Sequence, residues 1–587
     1  MAKKKTVSRE TERKAIPKHK PTDHARNYCQ VAYEFALEAA RDVKGKKHCR
    51  WVQLAAKRHL EDLKRKGWAY WFSEWHGNDV CDFIEKLPHV EGKWETLTIR
   101  LEPPQIFILV NIFGWRRGDY RRFSSTYIEM ARKGAKSTVT SGVALYCLTC
   151  EDEPGPQVII GATTSEQAGK VFNPAKNMVK QTPDLREAFG LTAWSRSITC
   201  EDSGGYIQTI NSKASTQDGW NPHVGILDEL HAHKDRGLYD VIRSAFGSRR
   251  NPLMWCITTA GYILDGVCYE QRTLVTKILE GFVEADHYFG IIFTLDLERD
   301  GDPTKGDDPL DPRVWVKANP MLGITPTLES MESFAKEAIA SPDSMGEFQT
   351  KRLNIWTSAK GGWINTISWK KCNGPIDILK LRSVPAYGGL DLASVSDITA
   401  WVIAWILDDW LYCRCRFYLP EDTVEPRTKK ANLPYQQWVK AGYLTVTPGN
   451  ITDYDFVKRD IKEDMSAFNI KEIGYDSWNA TQTANDLIND GAPLVEMIQG
   501  PKTFHPAMQE LERRIKSGRF SHGDNPVLSW MASNIVARRD ANRNMAPDKK
   551  NSQEKIDGIV SLLMALGRAI LHVEKRSKYE TEGLIVV

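Results

Sequence analysis

No run of this 587-residue sequence stays apolar and uncharged for the length a membrane-spanning helix requires. The charged first residues have no apolar segment behind them, so a secretory signal is not expected. The 11 cysteines follow no framework pattern, which argues against a disulfide scaffold and suits a reducing compartment. The only Cys-x-x-Cys, Cys147 and Cys150, lacks a second pair at zinc-finger spacing and reads as two core thiols of a helix. Net charge is only +4, so the molecule as a whole is not marked as a nucleic-acid binder. What remains is a globular chain, 41% hydrophobic, too long for one core and expected to hold two or three domains.

The charge is uneven. Lys3, Lys4, Lys5, Arg9, Arg13, Lys14, Lys18 and Lys20 crowd the start into a basic arm, suited either to DNA phosphates or to solubility. Asp23 to Lys66 is helical in pattern around a basic break at Lys44–Lys47, and Val80–Leu87 is a short helix. Pro103 and Pro104 start an apolar helix over Ile106–Phe113, with Gln105 in its first turn.

Both glycines of the usual phosphate-binding loop are missing. In Tyr127-Ile-Glu-Met-Ala-Arg-Lys-Gly-Ala-Lys-Ser-Thr138, Met130 and Ala135 stand where glycines are usual. Lys136 and Ser137 remain, with Arg132 and Lys133 inside the loop. Taken alone the stretch is equally a solvated basic turn. Its context favours phosphate: Phe123–Met130 reads as a buried strand and Ser137–Leu148 as a helix. Backbone amides and the helix N-terminus would hold phosphates, Lys136 would reach the terminal ones and Ser137 would ligate magnesium. Alanine tolerates positive φ poorly, so Gly134 is expected to supply the flexibility of the second glycine.

Three more apolar strands follow. Val158–Ala162 ends in capping hydroxyls. Val224–Leu230 ends in Asp228 and Glu229, where an aspartate beside a phosphate loop holds the magnesium shell and a glutamate deprotonates water. Met254–Gly261 ends in Thr258 and Thr259, which either sense the terminal phosphate or cap a helix. His231 and His233 read as ordinary loop residues, since nothing nearby completes a ligand set.

With these elements in this order, the chain resembles the large terminase subunit of tailed bacteriophages, over about residues 95–570. Arg132-Lys-Gly-Ala-Lys-Ser137 is similar to the family's departing Walker A, and Thr138 follows it into the helix. Gln217-Asp-Gly-Trp-Asn-Pro222 with Leu227-Asp-Glu-Leu-His231 resembles its Walker B region, and Thr258-Thr-Ala-Gly261 its coupling motif. Lys317-Ala-Asn-Pro320 and Lys351-Arg-Leu-Asn-Ile-Trp356 resemble its lid and linker. The resemblance implies that Gln105 reads adenine.

The last third changes character. Tyr387–Ser394 is a strand carrying Asp391, and Thr399–Ile406 and Trp410–Phe417 form a meander around an Asp408-Asp409 turn. Ile473–Trp478 carries Asp476, and the helix from Glu554 to Leu566 carries Asp557. Three such acids, as in ribonuclease H-like nucleases, would hold two divalent ions about 4 Å apart. Asp397 and Asp540 are reserve ligands, and Asp524 belongs to a turn. Lys502, Arg513, Arg514, Lys516, Arg519, Arg538, Arg539, Arg543, Lys549 and Lys550 would follow a duplex backbone, although a solvated helix face explains Arg513–Lys516 equally well.

The expected fold is α/β: a P-loop ATPase domain with a mostly parallel sheet, then a ribonuclease H-like α/β nuclease domain. The expected order is a basic arm over 1–22, helices over 23–94, ATPase core over 95–290, lid and linker over 291–365, nuclease over 366–575 and a tail over 576–587. The resemblance implies ATP with Mg2+, two Mg2+ or Mn2+ ions in the nuclease, and double-stranded DNA as substrate. It implies the procapsid portal protein and the small terminase subunit as partners, a homo-oligomeric ring expected as a pentamer, no membrane, and the host cytoplasm. In the ring, Arg243, Arg249 or Arg250 would complete a neighbour's ATP site. Two rivals stay open: a helicase–nuclease acting on DNA ends, and a capsid-docking DNA clamp whose catalysis has lapsed.

Overall fold

Six parallel strands form the centre of the first domain. In chain order its strands are β1 (Ser125–Glu129), β2 (Gln157–Ala162), β3 (Leu191–Ala193), β4 (Ser197–Cys200), β5 (Gly205–Asn211), β6 (Val224–Leu227), β7 (Leu253–Thr258) and β8 (Tyr288–Ile292). They lie in the order β8-β1-β7-β6-β2-β5-β4-β3, parallel from β8 to β5 and antiparallel beyond. β1, β6, β7 and β8 are buried along their whole length, as a parallel sheet covered on both faces requires. Thr258 pairs with Glu129 and Cys256 with Leu227, so the carboxyl ends of β1, β7 and β6 share one edge. That edge is where an open α/β sheet binds its ligand.

The computed structural model describes residues 26–572 apart from 212–219, 265, 299–304, 341, 358–361, 393–396, 432–433, 477–480, 541, 550–551 and 553. The basic arm, the tail over 576–587, Gln217 to Gly219 and Lys550 lie outside the described residues. Among the described residues no helix is long and apolar enough to cross a membrane.

The helices expected over 23–94 are present as Tyr28–Arg41, Arg50–Lys64 and Glu74–Glu85. They do not form a globule of their own: their buried residues share one core with the sheet. Arg58 donates to the carbonyls of Tyr288 (2.8 Å) and Ala285 (2.9 Å), and the Cys49 thiol to Ile292 O (3.1 Å). The helix Arg50–Lys64 thereby covers the open edge at β8. The basic break before it is a turn gathered by Asp42, whose carboxylate accepts from the amides of Lys46, Lys47 and His48 at 2.8–2.9 Å.

A separate, smaller core joins Leu295, Trp315, Met331, Phe348 and Leu353 to Ala131 of the loop before Lys136. Within it Lys317 is buried against Asp296 and Asp307 (3.1 and 2.6 Å).

The second sheet holds β9 (Ala386–Asp391), β10 (Thr399–Leu407), β11 (Trp410–Pro420), β12 (Thr445–Thr447), β13 (Ile470–Tyr475) and β14 (Leu494–Glu496), ordered β12-β11-β10-β9-β13-β14. β9, β10 and β11 are the antiparallel meander, turned by Asp408 and Asp409, both at positive φ as a two-residue hairpin requires. β13 lies parallel to β9. The helix Asp557–Leu571 packs directly on β9, because Gly389 has no side chain: a Cβ there would stand 1.9 Å from Ser561 O. That close approach sets Asp557 beside the carboxyl end of β9.

Candidate active sites

The phosphate loop joins β1 to the helix Lys136–Thr149. Ala135 precedes that helix at φ 51°, ψ 25°, and Lys133 is also left-handed at φ 70°. Gly134 is not left-handed. A Cβ there would stand 2.5 Å from Met130 Sδ, so this glycine provides room, and the conformational strain rests on Ala135. This corrects the expectation that Gly134 supplies the turn. Left-handed alanine costs about 1–2 kcal/mol, part of which glycine returns as unfolded-state entropy. Ala135→Gly is expected to stabilise the chain by roughly 0.5–1 kcal/mol, read as a higher urea midpoint, with ATP turnover unchanged because the loop already has its shape.

Lys136 donates to the loop carbonyls of Met130 and Ala131, both at 2.9 Å. Burial lowers its pKa, while Glu229 and Asp228 pull it back up. Ser137 and Thr138 open the helix, half-buried. The loop is strapped by the smaller core: Arg132 N donates to Lys351 O (2.9 Å), and the Thr325 hydroxyl to Lys133 O (3.0 Å). Gln105 lines an apolar pocket with Ile108, Met130, Val139 and Trp255, and its Oε1 accepts from Glu102 N (2.9 Å).

Asp228 follows β6 and is buried, 2% exposed. Its Oδ1 accepts from Glu229 N (2.9 Å), while Oδ2 is buried without a hydrogen-bond partner. Burial, then the neighbouring Glu229, push its carboxyl up to about 7. A buried carboxylate oxygen with no partner beside a phosphate loop fits a magnesium shell. Glu229 is left-handed at φ 50°. Burial alone would raise its carboxyl, but the His231 hydrogen bond and the charge of Lys136 bring it down to about 2.

His231 is not the ordinary loop residue the sequence suggested. Its Nδ1 lies 3.2 Å from Glu229 Oε2, its backbone amide donates to Thr258 Oγ1 (3.0 Å), and Lys351 Nζ lies 2.9 Å from its Nε2. Thr258 and Thr259 are fully buried, and Thr259 Oγ1 donates to Glu229 Oε2 at 3.5 Å. Two further residues were missed. Glu129, fully buried at the end of β1, accepts from Asn354 Nδ2 (3.1 Å), Trp356 Nε1 (3.3 Å) and Arg272 Nε (3.5 Å). Asn354 Oδ1 in turn accepts from Ala260 N (2.6 Å). A lone acid inside an otherwise apolar strand was the available signal for Glu129.

The three arginines differ. Arg249 is committed within its own chain, to Glu153 (2.7 Å) and to the carbonyls of Asn221, Pro154 and Gly155. That engagement argues against an action in trans. Arg243 and Arg250 are exposed, donating to the hydroxyls of Tyr239 (3.0 Å) and Tyr120 (3.5 Å).

In the second domain Asp391 ends β9. Leu390 pairs with Tyr475, which sets Asp476 at the same level on the next strand. Lys549 Nζ lies 2.9 Å from Asp391 Oδ2 and 3.8 Å from Asp557 Oδ1. It belongs to the acid cluster rather than to a track for the DNA backbone. Burial, then Asp391, raise the Asp557 carboxyl to about 7, and its Oδ2 is buried without a partner. Burial likewise raises Asp391, against Lys549. These acids fit a cation site, although among the described residues no three His, Cys, Asp or Glu side chains stand close enough to hold a metal ion as they are placed. Asp397 is held by Lys555 (2.6 Å) and Arg427 (3.3 Å). Asp540 caps its own turn, accepting from Asn542 N, Asn544 N and Asn544 Nδ2 at 2.8–2.9 Å. Asp524 sits at φ 54° in a turn.

Arg513, Arg514 and Arg519 converge on Asp409, and Lys516 pairs with Glu512. They therefore form a self-paired face. Lys502, Arg538, Arg539 and Arg543 remain exposed, the last three on the hairpin Ala537–Arg539/Met545–Pro547.

Residues 103–277 match the family "Terminase large subunit, ATPase domain", and 283–573 the family "Terminase large subunit, endonuclease domain". The chain is similar to the terminase large subunit of Enterobacteria phage HK97, 31% identical over 84% of this chain and 95% of that one. It is also similar to Protein YmfN of Escherichia coli (strain K12), 34% identical over 62% of this chain and 81% of that one. The crystal structure of the HK97 bacteriophage large terminase covers 84% of this chain and 99% of its own, at 29% identity and a TM-score of 0.41.

Proposed function

The chain belongs to the terminase large subunit family, an ATPase domain followed by an endonuclease domain, and from that premise we propose how its residues divide the work of a DNA-packaging motor and endonuclease. The observation that carries the ATPase assignment is the meeting of Lys136, Asp228 and Glu229 at the carboxyl edge of the parallel sheet, with Asp228 Oδ2 buried and unpartnered. Lys136 exchanges the carbonyls of Met130 and Ala131 for the terminal phosphates. Gln105 faces the base in the apolar pocket. Ser137 and Asp228 would hold magnesium, which when bound would offset the charge developing on the transferred phosphoryl group. Glu229 takes the proton of the attacking water. Thr258 and Thr259 read the loss of the terminal phosphate. Arg243 or Arg250 serves a neighbouring subunit.

In the endonuclease domain Asp391, Asp476 and Asp557 would hold two divalent cations, whose chemistry when bound would be to activate a water and stabilise the leaving oxygen. Duplex DNA lies along the exposed cations of the 537–547 hairpin. The partners are the portal of the procapsid and the small terminase subunit, with the chain in a homo-oligomeric ring, a pentamer, in the host cytoplasm.

Lys136→Ala tests the division of labour. It is expected to lose ATP turnover by more than about a hundredfold while manganese-dependent plasmid cutting persists. Turnover close to that of the parent would return the loop to a solvated turn. Clear strand separation by the chain without any capsid would favour the helicase–nuclease.

A further inference from the structure

One short stretch, Lys351 to Trp356, touches the phosphate loop and the residues that end β1 and follow β6 and β7. Lys351 O accepts from Arg132 N of the phosphate loop (2.9 Å), Asn354 reaches Glu129 and Ala260, and Trp356 reaches Glu129. The Lys351 side chain adds a connection of another kind. It is buried, 8% exposed, and its ammonium lies 2.9 Å from His231 Nε2. An ammonium only donates, so Nε2 accepts and the ring proton of neutral His231 sits on Nδ1. Nδ1 lies 3.2 Å from Glu229 Oε2, 3.1 Å from Thr258 Oγ1 and 3.3 Å from Thr259 Oγ1. The order Lys351, His231, Glu229 is therefore a line of close polar contacts that ends on the carboxylate, with the hydroxyls of Thr258 and Thr259 beside the ring. It starts in a π-helical turn, Phe348–Arg352, a distortion found mostly at functional positions.

We infer that His231 and Lys351 are positioning residues that hold Glu229 for hydrolysis only while the Phe348–Arg352 turn is seated on the phosphate loop. The inference rests on the assignment of Glu229 as the base. Lys351 holds Arg132 through its backbone and His231, which stands beside the carboxylate, through its side chain. Lifting the turn releases both at once. Loop grip and base orientation thus become one event, and a base misplaced by about 1 Å forfeits on the order of a hundredfold in rate.

The test uses the full chain with ATP and magnesium, measuring kcat, KM, affinity for a fluorescent ATP analogue and thermal melting. Lys351→Met is expected to lower kcat about 10- to 100-fold with KM and analogue affinity within about twofold. His231→Asn keeps an amide donor near the Nδ1 position but has nothing at Nε2 for Lys351. It is expected to lower kcat by a similar factor. The double variant is expected to be no slower than either single one, since both break the same chain. A purely structural pair would lower melting and affinity along with kcat, and its effects would not saturate in that way. kcat of Lys351→Met within twofold of the parent overturns the inference, as do effects that multiply in the double variant. Should Lys351→Met fail to fold, His231→Asn decides: parental kcat overturns the inference, and a drop in kcat at constant affinity supports it. Glu229→Gln separates the two assignments. If it keeps turnover, the reading of Glu229 fails; if it loses turnover while the other variants do not, only the positioning chain fails.

Discussion

Glu229→Gln is expected to reduce ATP turnover by roughly 10²- to 10⁴-fold and to leave nucleotide affinity within a few-fold of the parent. Glutamine keeps the length of the side chain and a carbonyl that accepts from His231 Nδ1–H, so the local network persists. It cannot accept a proton from water. The carboxyl is held at about 2, so the parent presents an ionised base across the physiological range. Removing that charge also withdraws one of the two influences that push Asp228 upward, leaving burial alone to do so. Asp228 in the variant ionises more readily, which favours rather than weakens a magnesium–nucleotide complex. Binding and turnover therefore separate. Analogue fluorescence reports the first, phosphate release the second, and substantial turnover in the variant would remove Glu229 from its role.

Asp391→Asn is expected to lower metal-dependent DNA cutting by more than about a hundredfold, with ATP turnover unaffected. The substitution is isosteric and removes a buried charge that opposes Asp557. Lys549 retains a carboxylate to face, since Asp557 Oδ1 is 3.8 Å from its Nζ. The fold is thus expected to survive, and loss of cutting reports the chemistry rather than unfolding. Plasmid linearisation with manganese, alongside a melting curve, measures both. Cutting at the parental rate would sink the metal assignment.

The sequence made the strand ends legible because buried parallel strands are continuous apolar runs, and the acids or hydroxyls that interrupt them mark the edge where ligands bind. Asp228, Glu229, Thr258, Asp391 and Asp476 were all found that way. The regular elements around the phosphate loop were legible for the same reason, since the period changes from strand to helix at Lys136. What escaped were residues whose role lies in a partner distant in sequence. His231 looked idle because Lys351 stands 120 residues away. Lys549 looked like one cation of many because Asp391, its partner, stands 158 residues away. Arg513 and Arg519 looked available until the meander turn brought Asp409 to them. The conformation of Ala135 was obscured by a sound rule: glycine is the usual bearer of positive φ, and here the neighbouring Gly134 was needed for space instead.

The helices over Tyr28–Arg41 and Arg50–Lys64 are made first and finished late. The Cys49 thiol meets its acceptor, Ile292 O, across 243 residues. At synthesis rates of about 5–20 residues per second, the wait is roughly 12–50 s before the β8 edge has emerged from the ribosome. Throughout that interval the side of the helix Arg50–Lys64 that carries Arg58 has no β8 strand to cover, whereas Phe35 of the helix before it meets Phe107 within the helical layer. The order of translation thus leaves that side of the helix uncovered until the last strand of the first sheet arrives.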